Sequence, residues 1–342
     1  MKGQEIAEKA VTYLKRGRKQ KGSVIHYTSA TLFRAWRRSL GLLGFTLALA
    51  LVAASCASNS SSSGSGSPTS AASLGTIRPG VISVAIEPYM PYTAMKNGKL
   101  VGLDSDILKY IASKLHQRLN VVVTNFAGML SDVQTHRVDV SIGGIAWSKS
   151  RAAVGLFTDP PYYSPVALAE SQGENITKVS QLTGKSIGTI TGYIFEKAIQ
   201  SLPNVTLRLY QDTPTAYADL QAGRVNALVI DTLLNIYEAK ANPSFHMVNR
   251  YLTPPTAAEI KANPSLSAFE PYMTGFYVPK QEPKLVSAMD SVIRQMYSNG
   301  EMSALLTKWG GSPSKFLKPY PGMTQQRRQV DRSSSWTAPS VS

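Results

Sequence analysis

Short apolar runs alternate with segments of helical period along residues 81–231, and that alternation restricts the chain to α/β architectures. "VISVAI" (81–86) reads as a buried strand. It leads into "DSDILKYIASKLHQRL" (104–119), where Ile107, Leu108, Ile111, Ala112, Leu115 and Leu119 share one helical face and acidic residues sit at the start. Strand "NVVVTNF" (120–126), a helix through "MLSDVQTH" (129–136) and strand "VDVSIGGI" (138–145) follow. A second series opens at "GKSIGTI" (184–190). It runs through helix "YIFEKAIQSL" (193–202), strand "VTLRLY" (205–210), helix "PTAYADLQAG" (214–223) and strand "NALVID" (226–231). Strands that alternate with helices build mainly parallel sheets, so two such series predict two lobes with a cleft between them. The segment 283–310 reads as two helices parted by Asn299–Gly300, a helix-stop signal.

The two ends of the chain lack this pattern. Residues 34–56, "RAWRRSLGLLGFTLALALVAASC", place basic residues before an apolar run, then small residues and a cysteine. That is the grammar of a secretory signal, and the run is just short of comfortable membrane-spanning length. "AASC" resembles a bacterial lipobox, with Ala53 where leucine is more usual, so Cys56 is expected to be the lipidated first residue of the mature protein. It is also the only cysteine, which excludes disulfides. The expected organisation is a long-n-region signal peptide over 1–55 and a Ser/Gly-rich tether over 56–74. Residues 320–342, polar and aperiodic, are expected to form a disordered tail. Arg37–Arg38 is a weak match to twin-arginine export, and the long pre-region leaves the start codon open.

The net charge of +15 raises the question of nucleic acid, and its distribution answers it. Residues 1–55 hold ten Lys/Arg against two Asp/Glu, which leaves +7 spread thinly over the rest with no basic stripe interleaved with aromatics. No nucleic-acid partner is expected. The four scattered histidines and the committed cysteine offer no metal-ligand spacing. "TGKSIG" contains GKS, but the glycine that a phosphate-binding loop needs five residues before Gly184 is Val179. No cofactor is expected.

The most informative stretch is "WSKSRAAVGLFTDPPYY" (147–163), which follows the apolar strand at 138–145. Arg151 has no acidic neighbour within seven residues on either side, and Ser148 is placed to cap the short helix that carries it. Ligands of open parallel sheets lie beyond the carboxyl ends of the strands, and a guanidinium matches a carboxylate with two parallel hydrogen bonds. Asp231 ends the corresponding strand of the second series and could meet an ammonium, although it would also serve as the N-cap of the helix after it. Together the two charges would suit a zwitterion.

Five stretches carry a family resemblance: "EPYMPYTAMKNGKLVGLDSDILKYIASKL", "HRVDVSIGGIAWSKSR" with "FTDPPYYSP", "GKSIGTITGYIFEKAI", "GRVNALVID" and "NGEMSALLTKWG". Residues 75–318 resemble the bacterial extracellular solute-binding proteins of family 3, the polar amino-acid-binding proteins of ABC importers, here of lipoprotein type. The resemblance implies a type II periplasmic-binding-protein fold with two α/β lobes joined by a hinge of two crossing strands, near 166–170 and 275–279. Lobe I would comprise 75–166 and 275–319, and lobe II 167–274. It implies that Arg151 takes a ligand carboxylate and Asp231 the α-ammonium, and that Tyr89 and Phe126 sandwich the ligand side chain. Gly144 would offer a carbonyl and Ala146 an amide to the head group, with Tyr193 and Ile194 on the second-lobe turn that helps hold the carboxylate.

Three positions depart from the pattern. Ala146 replaces a usual serine or threonine and Ile194 a usual threonine, removing two hydroxyls worth about 1 kcal/mol each where nothing substitutes. Ile86 stands where members that bind cationic side chains carry an acid, and Glu87 is its neighbour. These changes point to a less polar ligand or one outside the standard α-amino acids. The implied partners are a small solute, an ABC permease and the membrane through the lipid anchor, with the protein a monomer outside the cytoplasmic membrane. Two other roles are open on the same fold. One is a dehydratase acting on cyclohexadienyl or arogenate substrates, for which Glu87 near the cleft mouth is the only candidate acid, a solvated glutamate being the other reading of that residue. The other is a ligand-sensing partner of a receptor. "KANPS" occurs at 240–244 and again at 261–265, and reads as turn chemistry within a lengthened second-lobe segment.

Overall fold

A computed structural model describes residues 73–171 and 173–341, so the signal, Cys56 and nearly all of the tether lie outside the described residues. In chain order the strands are β1 Val81–Ile86, β2 Ala94–Lys96, β3 Lys99–Val101, β4 Arg118–Val123, β5 Val140–Ser141, β6 Gly155–Phe157 and β7 Tyr163–Ser164. They continue as β8 Ala167–Ser171, β9 Ser186–Ile190, β10 Thr206–Tyr210, β11 Ala227–Val229, β12 Met247–Tyr251, β13 Tyr272–Met273 and β14 Tyr277–Pro279. Two five-stranded sheets carry the fold, with orders β4-β1-β5-β14-β6 and β10-β9-β11-β8-β12.

Each sheet is parallel where a helix connects consecutive strands and antiparallel where the chain crosses between lobes. β4-β1-β5 and β10-β9-β11 are parallel, linked through helices Leu103–Lys114, Phe126–Gln134 and Thr213–Gln221. β14 runs antiparallel to β5 and β6, and β8 antiparallel to β11 and β12. The crossing strands are β7 and β13, paired with Tyr272 opposite Ser164 and Met273 opposite Tyr163. They precede by a few residues the two segments expected, because 167–171 and 277–279 have already joined the sheet of one lobe each. The β2–β3 hairpin turns on Asn97–Gly98, both with positive φ (52° and 71°), the geometry a two-residue hairpin loop requires.

The "KANPS" pairs mark helix ends. Asn242 and Asn263 terminate helices Thr232–Ala241 and Ala257–Ala262, and the proline after each opens a 3₁₀ turn. In the second copy this turn delivers Leu266 and Phe269 into the lobe II core, with the Phe269 ring 6.2 Å from Phe195.

Residues 320–341 correct the expectation of a disordered tail. Met323–Val330 form a 3₁₀ turn, and the chain then packs along the first lobe. Arg332 donates to Asp290 at 2.7 Å and to the Phe157 carbonyl at 2.9 Å, and the Trp336 indole donates to Asp159 at 2.8 Å. Trp336 lies 5.6 Å from Trp147, and Tyr163 donates to the Pro339 carbonyl. Gln326 reaches the crossing strand, donating to Pro271 at 2.7 Å. Average polarity hid this because only a few side chains hold the segment. Asp159, 1% exposed, is a buried carboxylate, and Arg294 and Arg332 supply the cations that burial demands. Arg332→Ala is expected to cost about 2 kcal/mol, the worth of a charged hydrogen bond to a buried group, and to lower the thermal midpoint. A change within about 0.5 kcal/mol, typical of a surface substitution, would show that the segment carries no load.

Candidate functional site

Helix Lys149–Ala152 is a single turn, and its start is fixed by Ser148, whose hydroxyl accepts from the Arg151 amide at 3.3 Å. The turn aims the Arg151 side chain inward, leaving the residue 8% exposed. Its guanidinium donates to the Ala146 carbonyl at 2.8 Å and, from the other lobe, to the Gly192 carbonyl at 3.0 Å. The Phe126 ring lies 5.1 Å away beneath it. Burial lowers its pKa to about 10, so it remains a cation at neutral pH, and the titratable neighbours that act on it are Tyr193, Tyr277 and Tyr272 rather than carboxylates.

Ala146 pairs with Thr274 as an isolated antiparallel bridge, in which the flanking amides of Trp147 and Gly275 make the hydrogen bonds. The Ala146 amide therefore points away from the partner strand. Before it, Gly143 and Gly144 make a left-handed turn (φ 135° and 67°) whose amides both donate to Asp104, at 2.8 and 2.9 Å. Tyr162 donates to the other Asp104 oxygen at 2.8 Å. Burial raises the Asp104 pKa to about 6, against the pull of these donors. Asp104 thus joins the start of helix Leu103–Lys114 to the turn that presents Ala146.

Asp231 is the N-cap of helix Thr232–Ala241, accepting from the Leu233 amide at 2.8 Å and the Leu234 amide at 3.4 Å, and it lines the same cavity as Arg151. It also accepts from Tyr92, from Tyr272 at 2.9 Å and from Ser164 at 3.3 Å. Burial pushes its carboxyl up, and the hydrogen bonds from Tyr92, Tyr272 and the two amides pull it back. Five donors converge on two oxygens, and an incoming ammonium would have to share them.

All eight residues singled out for ligand contact line one cavity: Tyr89, Phe126, Gly144, Ala146, Arg151, Tyr193, Ile194 and Asp231. Gly143, Phe195 and Tyr272 line it as well. Tyr272 left no local mark in the sequence, since its partner Asp231 is 41 residues away. Tyr92 is fully buried and stacks between Tyr89 (5.4 Å) and Tyr162 (5.6 Å). Its hydroxyl nevertheless reaches Asp231. Among the described residues no group of three or more His, Cys, Asp or Glu could hold a metal ion.

Glu87 corrects the expectation of a solvent-facing acid at the cleft mouth. It is 7% exposed, its Oε1 has no hydrogen-bond partner among the described residues, and it does not line the cavity. Burial raises its pKa from 4.5 to about 7, offset in part by the Phe126 amide.

The model of one family matches residues 82–312, described as bacterial extracellular solute-binding proteins, family 3. The chain belongs to that family. The L-cystine-binding protein TcyJ of Escherichia coli (strain K12) is 28% identical over 242 residues, covering 68% of this chain and 84% of that protein. Among solved structures, the substrate-binding protein of an amino acid ABC transporter is 26% identical with a TM-score of 0.58, covering 68% of this chain and 99% of the other. An ancestral arginine-binding protein bound to glutamine is 25% identical with a TM-score of 0.60, covering 69% and 100%. The mixed sheets and the paired crossing strands are those of a two-lobed type II binding protein, and solute binding is the role of the family. Among the described residues, no helix of this family 3 protein is long and apolar enough to cross a membrane.

The buried Glu87 sets a pH dependence. Its folded pKa lies above its unfolded value near 4.5, so the folded state holds the proton more tightly. Its contribution to stability is full below pH 4.5 and is lost as pH rises through about 7. Glu87→Gln should therefore stabilise the protein at pH 8 by about 3 kcal/mol at most, and change little at pH 4. Urea unfolding at the two pH values measures the difference, and equal effects at both would refute a buried, proton-binding Glu87.

Proposed function

We propose that this protein captures a small carboxylate-bearing solute, by preference an amino acid, in the cavity between its lobes and delivers it to the permease of an ABC importer. The observation that carries the reading is Arg151: a buried cation whose donors reach only carbonyls among the described residues and which shares its cavity with Ala146. A desolvated guanidinium is costly without an anion, and a ligand carboxylate supplies one with two parallel hydrogen bonds. Asp231, with the Tyr92 and Tyr272 hydroxyls around it, supplies oxygens for an α-ammonium. The relatives' names for amino acids support the ligand class, and the departures at Ala146 and Ile194 favour an apolar or non-standard member of it.

A binding rather than a catalytic role is favoured by where the acids sit. Glu87, whose pKa burial raises to about 7, lies off the cavity, and Asp231 lines the cavity but is pinned by five donors. The dehydratase reading therefore lacks an acid free to protonate a leaving hydroxyl.

Thermal shift against amino acids, other carboxylates and amines tests the proposal. A ligand at 100 times its dissociation constant adds about 2.7 kcal/mol and raises the midpoint visibly. Arg151→Ala should abolish that rise, and an equal rise in the variant would remove the carboxylate grip. The lipid anchor and the extracytoplasmic location rest on the "AASC" motif and on the family. Replacing Cys56 with serine should move the expressed protein from the membrane fraction to the soluble fraction. If the fractionation does not change, anchoring through Cys56 is refuted.

A further inference from the structure

Resting on the carboxylate reading of Arg151, a second feature of the cavity determines what else a ligand can carry. The turn after β9 places Gly192 in the left-handed region (φ 83°) and fixes the next residue through a hydrogen bond from the Tyr193 amide to Ile190 at 3.0 Å. The Glu196 carboxylate accepts from the Gly192 amide at 3.0 Å and braces the same turn. The Tyr193 side chain leaves this turn toward the first lobe. Its ring meets Phe126 edge-on at 4.9 Å and Tyr89 edge-on at 6.4 Å. Phe126 is also the ring beneath the Arg151 guanidinium. Tyr193 therefore occupies the space directly beside the proposed carboxylate grip, and it packs against all three apolar clusters of the described fold.

Little space is left. The cavity bounded by Arg151, Asp231 and their neighbours is narrow, and the Tyr89, Phe126 and Tyr193 rings all line it. The turn is also backed from behind. Phe195, two residues on, packs on Phe269 at 6.2 Å and Tyr272 at 6.0 Å, so the backbone that carries Tyr193 cannot recede without breaking the lobe II core.

We propose that Tyr193 is the specificity-determining residue of this site, an internal plug between Tyr89 and Phe126 that limits the ligand to a carboxylate with a small substituent. Glycine, alanine and serine are within the limit. Leucine, phenylalanine, arginine and cystine place their side chains where the Tyr193 ring sits.

The test is isothermal titration of wild type, Tyr193→Phe and Tyr193→Ser with those seven amino acids. Wild type and Tyr193→Phe, which keeps the ring, should bind the small set and not the large. Tyr193→Ser should gain on the order of tenfold or more in affinity for at least one large ligand, as expected when a steric block is removed from a pocket. Should the serine variant fail to fold, Tyr193→Leu retains apolar cover and should move the size limit part-way. Wild type that binds large and small ligands alike, or a variant with an unchanged ranking, would overturn the plug while leaving the carboxylate grip standing. No binding of any of the seven by wild type would overturn the amino-acid reading and the plug with it.

Discussion

A buried guanidinium without a carboxylate partner among the described residues is the constraint around which the cleft is arranged. Arg151 is withdrawn from water by a one-turn helix, capped by Ser148, that could not bury a charge unaided. Its remaining neighbours make that burial tolerable: the Ala146 carbonyl from its own lobe, the Gly192 carbonyl from the other, and the face of Phe126. Carbonyl dipoles satisfy the donors of an arginine without cancelling its charge. A charge left uncancelled in a buried site is where an anion gains most from pairing.

Opposite Arg151, buried carboxylates do the joining. Asp104 ties a helix start to the Gly143–Gly144 turn and to Tyr162, and Asp231 ties a helix start to Tyr92, Tyr272 and Ser164. Burial keeps the hydroxyls of Tyr92, Tyr162 and Tyr272 protonated far above neutral pH, so they act as donors. Tyr92 and Asp231 belong to different sheets' surroundings, and Tyr272 comes from the crossing strand β13. The hydrogen bonds on Asp231 therefore connect both lobes and the hinge through one side chain. Closure about such a hinge is a familiar motion of two-lobed binders, and these contacts are the ones it would make and break.

Much of this was legible in the sequence, for identifiable reasons. The helix at 103–114 and the parallel strands announce themselves through local periodicity, and Arg151 and Asp231 stand out because charges follow apolar strands there. What escaped depends on contacts between distant residues. Glu87 looked solvated because nothing in its local sequence shows that the fold buries it, with the Phe126 amide as a hydrogen-bond donor. Tyr272 is defined by a partner 41 residues away. The segment 320–341 looked disordered by composition, yet Arg332 on Asp159 and Asp290, and Trp336 on Asp159 and against the Trp147 ring, hold it in place. The parallel character of the sheets was overstated because strands supplied by the lobe crossings run the other way.

The central claim is that Arg151 makes this a carboxylate site, and the most direct measurement separates the two ends of the ligand. For an amino acid that binds, titration calorimetry would compare it with its decarboxylated amine and its deaminated acid. A carboxylate grip at Arg151 predicts that the acid retains measurable affinity and the amine loses it. An amine that binds as tightly as the amino acid, with no binding by the acid, would contradict it.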